Sequence, residues 1–180
     1  MELFKQELKV PKERVAIIIG KLGQDKRNLE KRTSTKIEIT KDGEVTITSN
    51  DSIHAWDAKQ IIKAIGRGFS PDVALLLINE DYAFEIIELK DWAGKNENVM
   101  KRLKGRVIGE HGRSKMAIED ITESYISVYG KTVSIIGDVT KIEIAKRAIE
   151  MLLDGARHAT VYKLLEHERA KMRRAKLLGE

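Results

Sequence analysis

The 180-residue sequence contains no cysteine and no long apolar run. Without cysteine, the chain can form neither disulfides nor thiolate zinc sites, and it has no cysteine nucleophile. No apolar run reaches the length of about 18 residues that a membrane-spanning helix needs. The N-terminal residues Met1 to Lys5 lack the basic-then-apolar pattern of a signal peptide. We therefore expect a cytoplasmic protein that does not contact a membrane.

The sequence also lacks the common motifs of catalytic and metal sites. Neither of its two paired-glycine segments fits G-x-x-x-x-G-K-[ST], the phosphate-binding loop of nucleotide hydrolases. The histidines do not show the close spacing of metal ligands. Adjacent acidic residues such as Glu119 and Asp120 point apart on a helix, which favours solvated charge over a catalytic pair. We therefore expect no enzyme activity, no metal and no cofactor.

Positive charge is concentrated locally rather than spread along the chain. The net charge is only +5, and residues 79–155 are acidic overall. Within that segment, however, residues 99–115 carry six cations and one anion. A basic patch on an otherwise non-basic segment indicates a phosphate-contacting face better than global charge does. A solvated helix surface is the alternative explanation of the same charges.

The basic patch contains a paired-glycine motif that occurs twice in the chain. Gly109-Glu110-His111-Gly112 lies 89 residues after Gly20-Lys21-Leu22-Gly23, and each motif follows an apolar run. The flanks repeat as well. At the same offset Ile37 and Ile39 correspond to Ile126 and Val128, and at an offset of 87 Ala58, Ile62, Ile65 and Gly68 correspond to Ala145, Ile149, Leu152 and Gly155. We interpret this pattern as a tandem duplication.

Hydrophobic periodicity predicts the element order βααββα in each copy. The first copy is predicted to have a strand over 4–10, helices over 12–19 and 24–33, strands over 36–40 and 45–48, and a long helix capped by Ser52. A short apolar helix is predicted to follow Pro71. The second copy is predicted to have a strand over 84–89, helices over 97–108 and 113–121, strands over 125–129 and 133–137, and a helix over 140–153.

Residues 156–180 predict a basic C-terminal helix. Ala159, Tyr162, Leu165 and Met172 are spaced to share one face that docks on the fold. For the last ten residues a solvated tail is the alternative.

A G-x-x-G loop between two short helices suits the binding of nucleic-acid phosphate. Glycine lets the backbone come close to a partner or adopt positive φ. Backbone N–H groups at the start of the second helix attract anions. A neighbouring apolar groove then admits a single strand of about four nucleotides and excludes a duplex.

The candidate contacts of both copies follow from this arrangement. The expected groove residues are Ile19, Leu29, Ile37 and Ile39 in the first copy and Ile108, Ile118, Ile126 and Val128 in the second. The expected phosphate-contacting cations are Lys21, Lys26, Arg27, Arg102, Lys104, Arg106, Arg113 and Lys115.

This arrangement resembles a type I KH domain, here in tandem. Residues 108–113 resemble the core motif I-G-x-x-G-[KR], and residues 19–24 match it except for the final basic residue. The resemblance covers residues 4–68 and 82–155. It implies an α+β fold in which each domain has a three-stranded antiparallel sheet with helices on one face. The expected boundaries are 1–78 and 79–155 for the two KH domains and 156–180 for the C-terminal helix.

The whole chain resembles the two-KH-domain ribosome assembly factors of archaea and eukaryotes, the partner-of-Nob family. The resemblance rests on the two KH modules, the apolar connecting helix and the basic C-terminal helix. It implies binding of single-stranded RNA near the 3′ end of the small-subunit rRNA precursor, within the pre-ribosome. It also implies work beside the endonuclease that makes the mature 3′ end, and contact with other assembly or translation proteins.

Two features depart from the family pattern. Both loops keep the motif, whereas in many relatives one repeat has lost it. Glu110 carries the wrong charge for a phosphate, although Arg106, Arg113 and Lys115 can offset it. His111 can donate to a phosphate or stack on a base, or it can be an exposed loop residue without a role.

Two other functions stay open at this point. The first is a protein-docking scaffold, in which the first copy has given its groove to a partner, since its loop lacks the following cation. The second is another KH-bearing RNA factor, such as an exosome or translation component.

Overall fold

Residues 3–179 are described by a computed structural model, in which the chain divides into two units between Phe84 and Glu85. The division falls inside a strand, several residues beyond the boundary at residue 78 that the sequence predicts.

The first unit contains one antiparallel sheet of three strands in the order β1-β3-β2. The strands are β1 (Phe4–Lys9), β2 (Lys36–Ile39) and β3 (Glu44–Ser49). In the central strand β3, burial alternates with the pleat, so Val45, Ile47 and Ser49 face the core. The helices are α1 (Lys12–Ile19), α2 (Gln24–Thr33), α3 (Ser52–Gly66) and α4 (Pro71–Ala74), and a 3₁₀ turn follows over Leu75–Ile78.

The second unit repeats this arrangement, with strand order β4-β6-β5. Its sheet consists of β4 (Tyr82–Glu88), whose first three residues belong to the first unit, β5 (Tyr125–Tyr129) and β6 (Thr132–Asp138). Its helices are α5 (Lys90–Ala93), α6 (Glu97–Ile108), α7 (Arg113–Thr122), α8 (Ile142–Leu153) and α9 (His158–Leu178). The two sheets with their helices confirm the predicted α+β architecture of two KH domains and a C-terminal helix.

The burial pattern of the long helices supports the duplication independently of sequence identity. All buried positions of α3 except Ala64 recur in α8 at a constant offset of 87 residues. They are Ala55, Ala58, Ile61, Ile62, Ile65 and Gly66 in α3, and Ile142, Ala145, Ala148, Ile149, Leu152 and Leu153 in α8. Each helix therefore buries the same stripe against its own unit.

Some local features differ from the sequence-based expectation. Asp51, rather than Ser52, caps α3, since its Oδ1 accepts a hydrogen bond from the Ile53 N–H at 2.7 Å. The sequence does not predict α5, because a helix of one turn carries no periodicity. This turn places the Trp92 Nε1 within 2.7 Å of the Asp154 carboxylate, to which it donates.

The C-terminal helix docks through a face that largely matches the predicted one. Leu165 is fully buried and Tyr162 and Met172 are half-buried, whereas Ala159 is exposed and Val161 is buried in its place. The helix continues to Leu178, so the segment predicted as a helix or a tail is helical up to that residue. Its last two leucines, Leu177 and Leu178, are exposed.

Candidate nucleic-acid interface

The first glycine of each loop lies where no side chain fits. Gly20 has φ 70° and ψ 178°, and Gly109 has φ 76° and ψ 171°. A Cβ on Gly109 would lie 2.6 Å from the Cβ of Ser114, and a Cβ on Gly20 would lie 2.0 Å from Oδ2 of Asp25. Both loops therefore press bare backbone against the first turn of the following helix.

The next turn of each loop passes through the left-handed region. Leu22 and His111 have φ of 54° and 52°, and Gly23 and Gly112 follow with 75° and 74°. A Cβ on Gly112 would meet no atom within 4 Å. The second glycine is thus required for its backbone conformation rather than for space.

The helices that follow the loops begin without side-chain caps. Within the described residues, no side chain accepts a hydrogen bond from the first N–H groups of α2 or α7. Both ten-residue helices can therefore offer their positive ends to an anion. The first turn of α2 already carries Asp25, whereas that of α7 has no acidic residue. The first turn of α7 is accordingly the less acidic of the two helix starts.

The side chains at the loop tips are exposed. Leu22 is 86% exposed, and Lys21 also faces solvent. In the second loop, His111 Nε2 lies 3.7 Å from Glu110 Oε1, and both side chains are about four-fifths exposed. Because it is exposed, the Glu110 side chain has room for a rotamer that points away from a bound phosphate.

Cations flank each loop from the following helix. A Cβ on Gly23 would lie 3.2 Å from a guanidinium nitrogen of Arg27, so that side chain reaches over the first loop. Arg113 is exposed at the start of α7. The predicted basic character of both loops is therefore retained at the surface.

The Arg106 side chain makes internal hydrogen bonds instead of facing solvent, as the sequence suggests it would. Its Nε donates to the Leu152 carbonyl at 2.8 Å, and its Nη2 donates to the Ala156 carbonyl. These bonds hold the C-terminal end of α8 to α6 and leave the guanidinium half-buried. We therefore correct the expectation that Arg106 contacts phosphate.

The first unit contains the same bridge, built from a different position. Arg14 donates from Nε to the Ile65 carbonyl at 2.8 Å and from Nη2 to the Phe69 carbonyl at 2.7 Å. The acceptors Ile65 and Phe69 correspond to Leu152 and Ala156 at the offset of 87, but Arg14 lies about one helical turn earlier in its helix than Arg106 does. Sequence alignment of the two copies could not have revealed this equivalence.

Two predicted phosphate contacts, Lys26 and Lys115, are engaged in internal ion pairs. Their Nζ atoms lie 3.1 Å and 3.0 Å from the carboxylates of Glu30 and Glu119. Each glutamate also accepts a backbone N–H from the neighbouring strand, at 2.7 Å and 2.8 Å respectively. The two lysines remain about one-third exposed, so they are secondary candidates for RNA contact.

Fewer of the predicted groove residues are accessible to a ligand than the sequence suggests. Ile37 and Ile126 are 1% and 4% exposed, and Leu29 and Ile118 are equally buried. These four side chains belong to the core and cannot touch a base, which corrects their assignment. The predicted groove residues that remain accessible are Ile19 and Ile39 in the first unit and Ile108 and Val128 in the second, all of them half-buried or exposed.

The sequence did not predict a basic cleft that lies beside the second groove. It has a volume of about 450 Å³ and lies between α6 and the β5–β6 turn. Lys101, Lys104 and Lys131 line it. Lys104 was predicted, but Lys131 lies on a hairpin turn that only the fold brings to α6. Arg102 is exposed on the same helix.

Other site types are not seen in the described part of the chain. Residues 3–179 contain no group of three or more acidic or histidine side chains placed to hold a metal ion. None of the helices within that range is both long enough and apolar enough to cross a membrane.

Similar proteins share the fold and the sequence. Residues 5–64 match the KH domain, and residues 83–170 match the eukaryotic-type KH domain, type I. A KH domain-containing protein of Methanocaldococcus jannaschii is 48% identical over 173 residues, which cover 94% of this chain and 76% of that protein. The pre-rRNA-processing protein PNO1 of Debaryomyces hansenii is 32% identical over 113 residues, which cover 62% of this chain and 44% of that one. The chain therefore spans less than half the length of this PNO1 relative.

A solved structure extends the similarity to almost the whole chain. The crystal structure of an a/eIF2alpha–aDim2p–rRNA complex from Pyrococcus horikoshii matches with a TM-score of 0.87 and 46% identity. The match covers 94% of this chain and 96% of that one. These matches confirm the resemblance that the paired loops indicated, and the chain belongs to the PNO1/Dim2 family of tandem KH-domain proteins.

Proposed function

We propose that this chain binds single-stranded rRNA of the small-subunit precursor through both G-x-x-G loops and acts by binding rather than by catalysis. The observation that carries the proposal is the matched geometry of Gly20–Gly23 and Gly109–Gly112, which place bare backbone at helix starts that no side chain caps. The relatives support it, since one is named a pre-rRNA-processing protein and another was crystallised with rRNA. The protein would act in the compartment where the subunit is assembled.

In the proposed mechanism, one set of residues contacts the phosphates of the RNA and another set contacts its bases. The loop and the positive end of the following helix hold the phosphates, because the glycines leave the backbone bare there, although in the first loop the Asp25 carboxylate lies against Gly20. The surface isoleucines and Val128 contact the bases, which must be unpaired to enter the groove. In the second unit, Lys101, Lys104 and Lys131 extend the positive surface along the strand.

The proposed position of the protein follows from its family. We place its RNA site near the 3′ end of the small-subunit rRNA precursor, beside the endonuclease that forms the mature end. Contact with a translation protein is part of the proposal, because the Pyrococcus relative was crystallised with a/eIF2alpha as well as rRNA.

Substitutions at the loop tips test the proposal. Lys21→Asp with Leu22→Asp adds negative charge to the first loop. In the second loop Glu110→Asp keeps the charge and shortens the side chain, and His111→Asp adds one negative charge. The fold should tolerate these changes because the side chains are exposed and aspartate accepts the left-handed conformation. The first glycines are unsuitable targets, since a Cβ at Gly109 would collide with Ser114.

The measurement is the affinity for a single-stranded oligonucleotide with the rRNA 3′-end sequence, beside thermal unfolding of each variant. Each double variant should lose about tenfold in affinity while its unfolding temperature stays near that of the wild type. The same sequence in a duplex should bind weakly to every protein. Unchanged affinity of both folded variants for the single strand would contradict the proposal.

A protein-docking role of the first groove is the second candidate. Asp25 in the first turn of α2 and the neutral Gln24 after the loop make the first site less attractive to phosphate than the second. This candidate predicts that Lys21→Asp with Leu22→Asp leaves RNA affinity unchanged, whereas Glu110→Asp with His111→Asp still lowers it.

A further inference from the structure

The first unit has an apolar cleft that the RNA-binding loops do not use. On α3, Ile53 and Trp56 are 66% and 54% exposed. They line a cleft of about 470 Å³ together with Leu77, Ile78 and Phe84. Phe84 packs edge-on against Phe69, with ring centroids 6.2 Å apart. An exposed tryptophan beside a concave apolar wall marks a site for a partner.

The charged residues that line this cleft, Asp57 and Glu80, are both acidic, and its other polar residues, Gln60 and Tyr82, are uncharged. Burial raises the pKa of Asp57, His54 lowers it, and the carboxylates of Glu80 and Asp51 raise it further. Asp51 caps the N-terminus of the helix that carries Asp57. A surface with this charge repels RNA and attracts a cationic partner.

The second unit has a helix along the equivalent surface. At the offset of 87, Trp56 and Asp57 correspond to Glu143 and Ile144 of α8. Glu143, Ile144 and Arg147 line a smaller cleft of about 170 Å³ with Leu164 and Glu168 of α9. Leu164 corresponds to Leu77, at the 3₁₀ turn of the first unit.

The two units differ in the path of the chain beyond these leucines. In the second unit α9 runs on to Leu178, so Glu168 becomes part of the wall of the cleft. In the first unit the helical path ends at Ile78, and the chain continues into β4. The first unit therefore has larger apolar side chains on α3, a wider cleft, and no counterpart of the second half of α9 along it.

We propose that this cleft docks an amphipathic helix of a partner protein, with an apolar stripe against Ile53 and Trp56 and with lysine or arginine facing Asp57 and Glu80. The helix would take the position that the second half of α9 takes in the second unit. The inference stands apart from the proposed RNA function, because the cleft shares no residue with either loop.

The test uses the full chain and two synthetic helical peptides. Both peptides carry leucines at helical spacing; one has lysines on the flanking positions, and its matched control has glutamates there. Binding is followed by the NMR signal of the Trp56 indole N–H and by fluorescence anisotropy of the labelled peptides. The lysine peptide should shift the indole signal saturably, and the glutamate peptide should bind at least about tenfold more weakly.

The matched protein variant takes its residues from the second unit. Ile53→Thr with Trp56→Glu installs the residues found at the corresponding positions Thr140 and Glu143. Because both positions are exposed, this variant should fold. It should bind the lysine peptide at least about tenfold more weakly, whereas its affinity for single-stranded RNA should stay within about twofold of the wild type.

Several results would overturn the inference. They are no saturable shift of the Trp56 indole, equal binding of both peptides, or equal binding by the variant. A shift of that indole signal on adding RNA would assign the cleft to RNA instead. Self-association of the wild type that the variant abolishes, seen by sedimentation, would make a second copy the occupant. The RNA affinities measured on the same proteins show separately whether the proposed function holds.

Discussion

Each loop places one non-glycine residue in the left-handed region of the backbone: Leu22 in the first loop and His111 in the second. For most side chains this conformation costs about 1–2 kcal/mol, and polar residues with short side chains adopt it most readily. Leu22 is both left-handed and 86% exposed, so it gains nothing from burial in the free protein. Such a residue is explained best by a ligand that covers it, and the RNA strand held at the loop is the ligand we expect.

Leu22→Asn should therefore stabilise the protein and weaken RNA binding. We expect a gain of about 1 kcal/mol in the free energy of unfolding, together with a loss of several-fold in RNA affinity. Ser34 provides a control, because it is also left-handed and exposed but lies at the far end of α2. Ser34→Asn should leave RNA affinity unchanged. Urea unfolding and RNA titration of both variants check the prediction, and unaltered RNA affinity of Leu22→Asn would refute it.

The two glycines of the second loop should respond differently to alanine. At Gly112 a Cβ meets no atom within 4 Å, so Gly112→Ala should cost only the conformational term of about 1 kcal/mol. At Gly109 the Cβ would lie 2.6 Å from Ser114, so Gly109→Ala should cost about 3 kcal/mol or more. The free energies of unfolding from urea titration decide the matter. Equal losses would mean that the close contact at Gly109 relaxes freely.

At the scale of elements, one arginine joins α1 to the end of α3 in the first repeat, and another joins α6 to the end of α8 in the second. Arg14 and Arg106 donate to equivalent carbonyls from positions that differ by about one helical turn. The two repeats thus share the pair of acceptor carbonyls at the end of the long helix, α3 or α8, but not the position of the arginine. These carbonyls lie where the regular hydrogen bonding of each helix ends, and the guanidinium supplies donors to them.

Arg106→Gln should lower stability without a matching loss of RNA affinity. The loss of hydrogen bonds from a charged donor should cost about 2–3 kcal/mol of the free energy of unfolding, whereas RNA affinity measured well below the unfolding temperature should change less than about twofold. Arg102→Gln on the same helix should do the opposite, because Arg102 is exposed and, as proposed, faces the RNA. A large loss of RNA affinity in a folded Arg106→Gln variant would restore the phosphate-contact interpretation.

Most elements of the fold could be predicted from the sequence, because their apolar periodicity and turn residues are local signals. The helices α1 and α2 begin and end where the pattern predicts. The site was harder to predict. A basic residue such as Arg106 has the same local signal whether it faces solvent or a carbonyl, and an isoleucine of β2 gives no sign of how deeply it lies. Burial of Ile37 and Ile126 depends on the helices packed above them, which only the tertiary structure specifies.

On the scale of the whole molecule, the two repeats have kept one backbone and acquired different surfaces. The second unit has an unobstructed helix start at its loop and a lysine-lined cleft beside it. The first unit has an acidic residue at the corresponding helix start and an acidic apolar cleft elsewhere. We therefore propose that the second repeat carries the stronger RNA site and that the first repeat leaves room for a protein partner.

The lysine cleft predicts how RNA binding depends on salt. Each cation that neutralises a phosphate of a single strand contributes about 0.7 to the slope of log affinity against log salt. Lys101→Gln with Lys131→Gln should therefore reduce that slope by about 1.4. Lys171→Gln is the control, because Lys171 lies on α9, where its Nζ pairs with Glu168 at 3.1 Å. An unchanged slope in the first variant would remove the cleft from the RNA path.

The central claim is that both loops hold single-stranded RNA, and cross-linking tests it most directly. The full chain would be irradiated with a photoreactive oligonucleotide of the rRNA 3′ end, and the modified peptides identified by mass spectrometry. The claim predicts cross-links to residues 19–27 and to residues 108–115, and none to either segment when a duplex replaces the single strand. Cross-links confined to residues 108–115 would show that the first loop does not read RNA, and cross-links to neither segment would contradict the claim altogether.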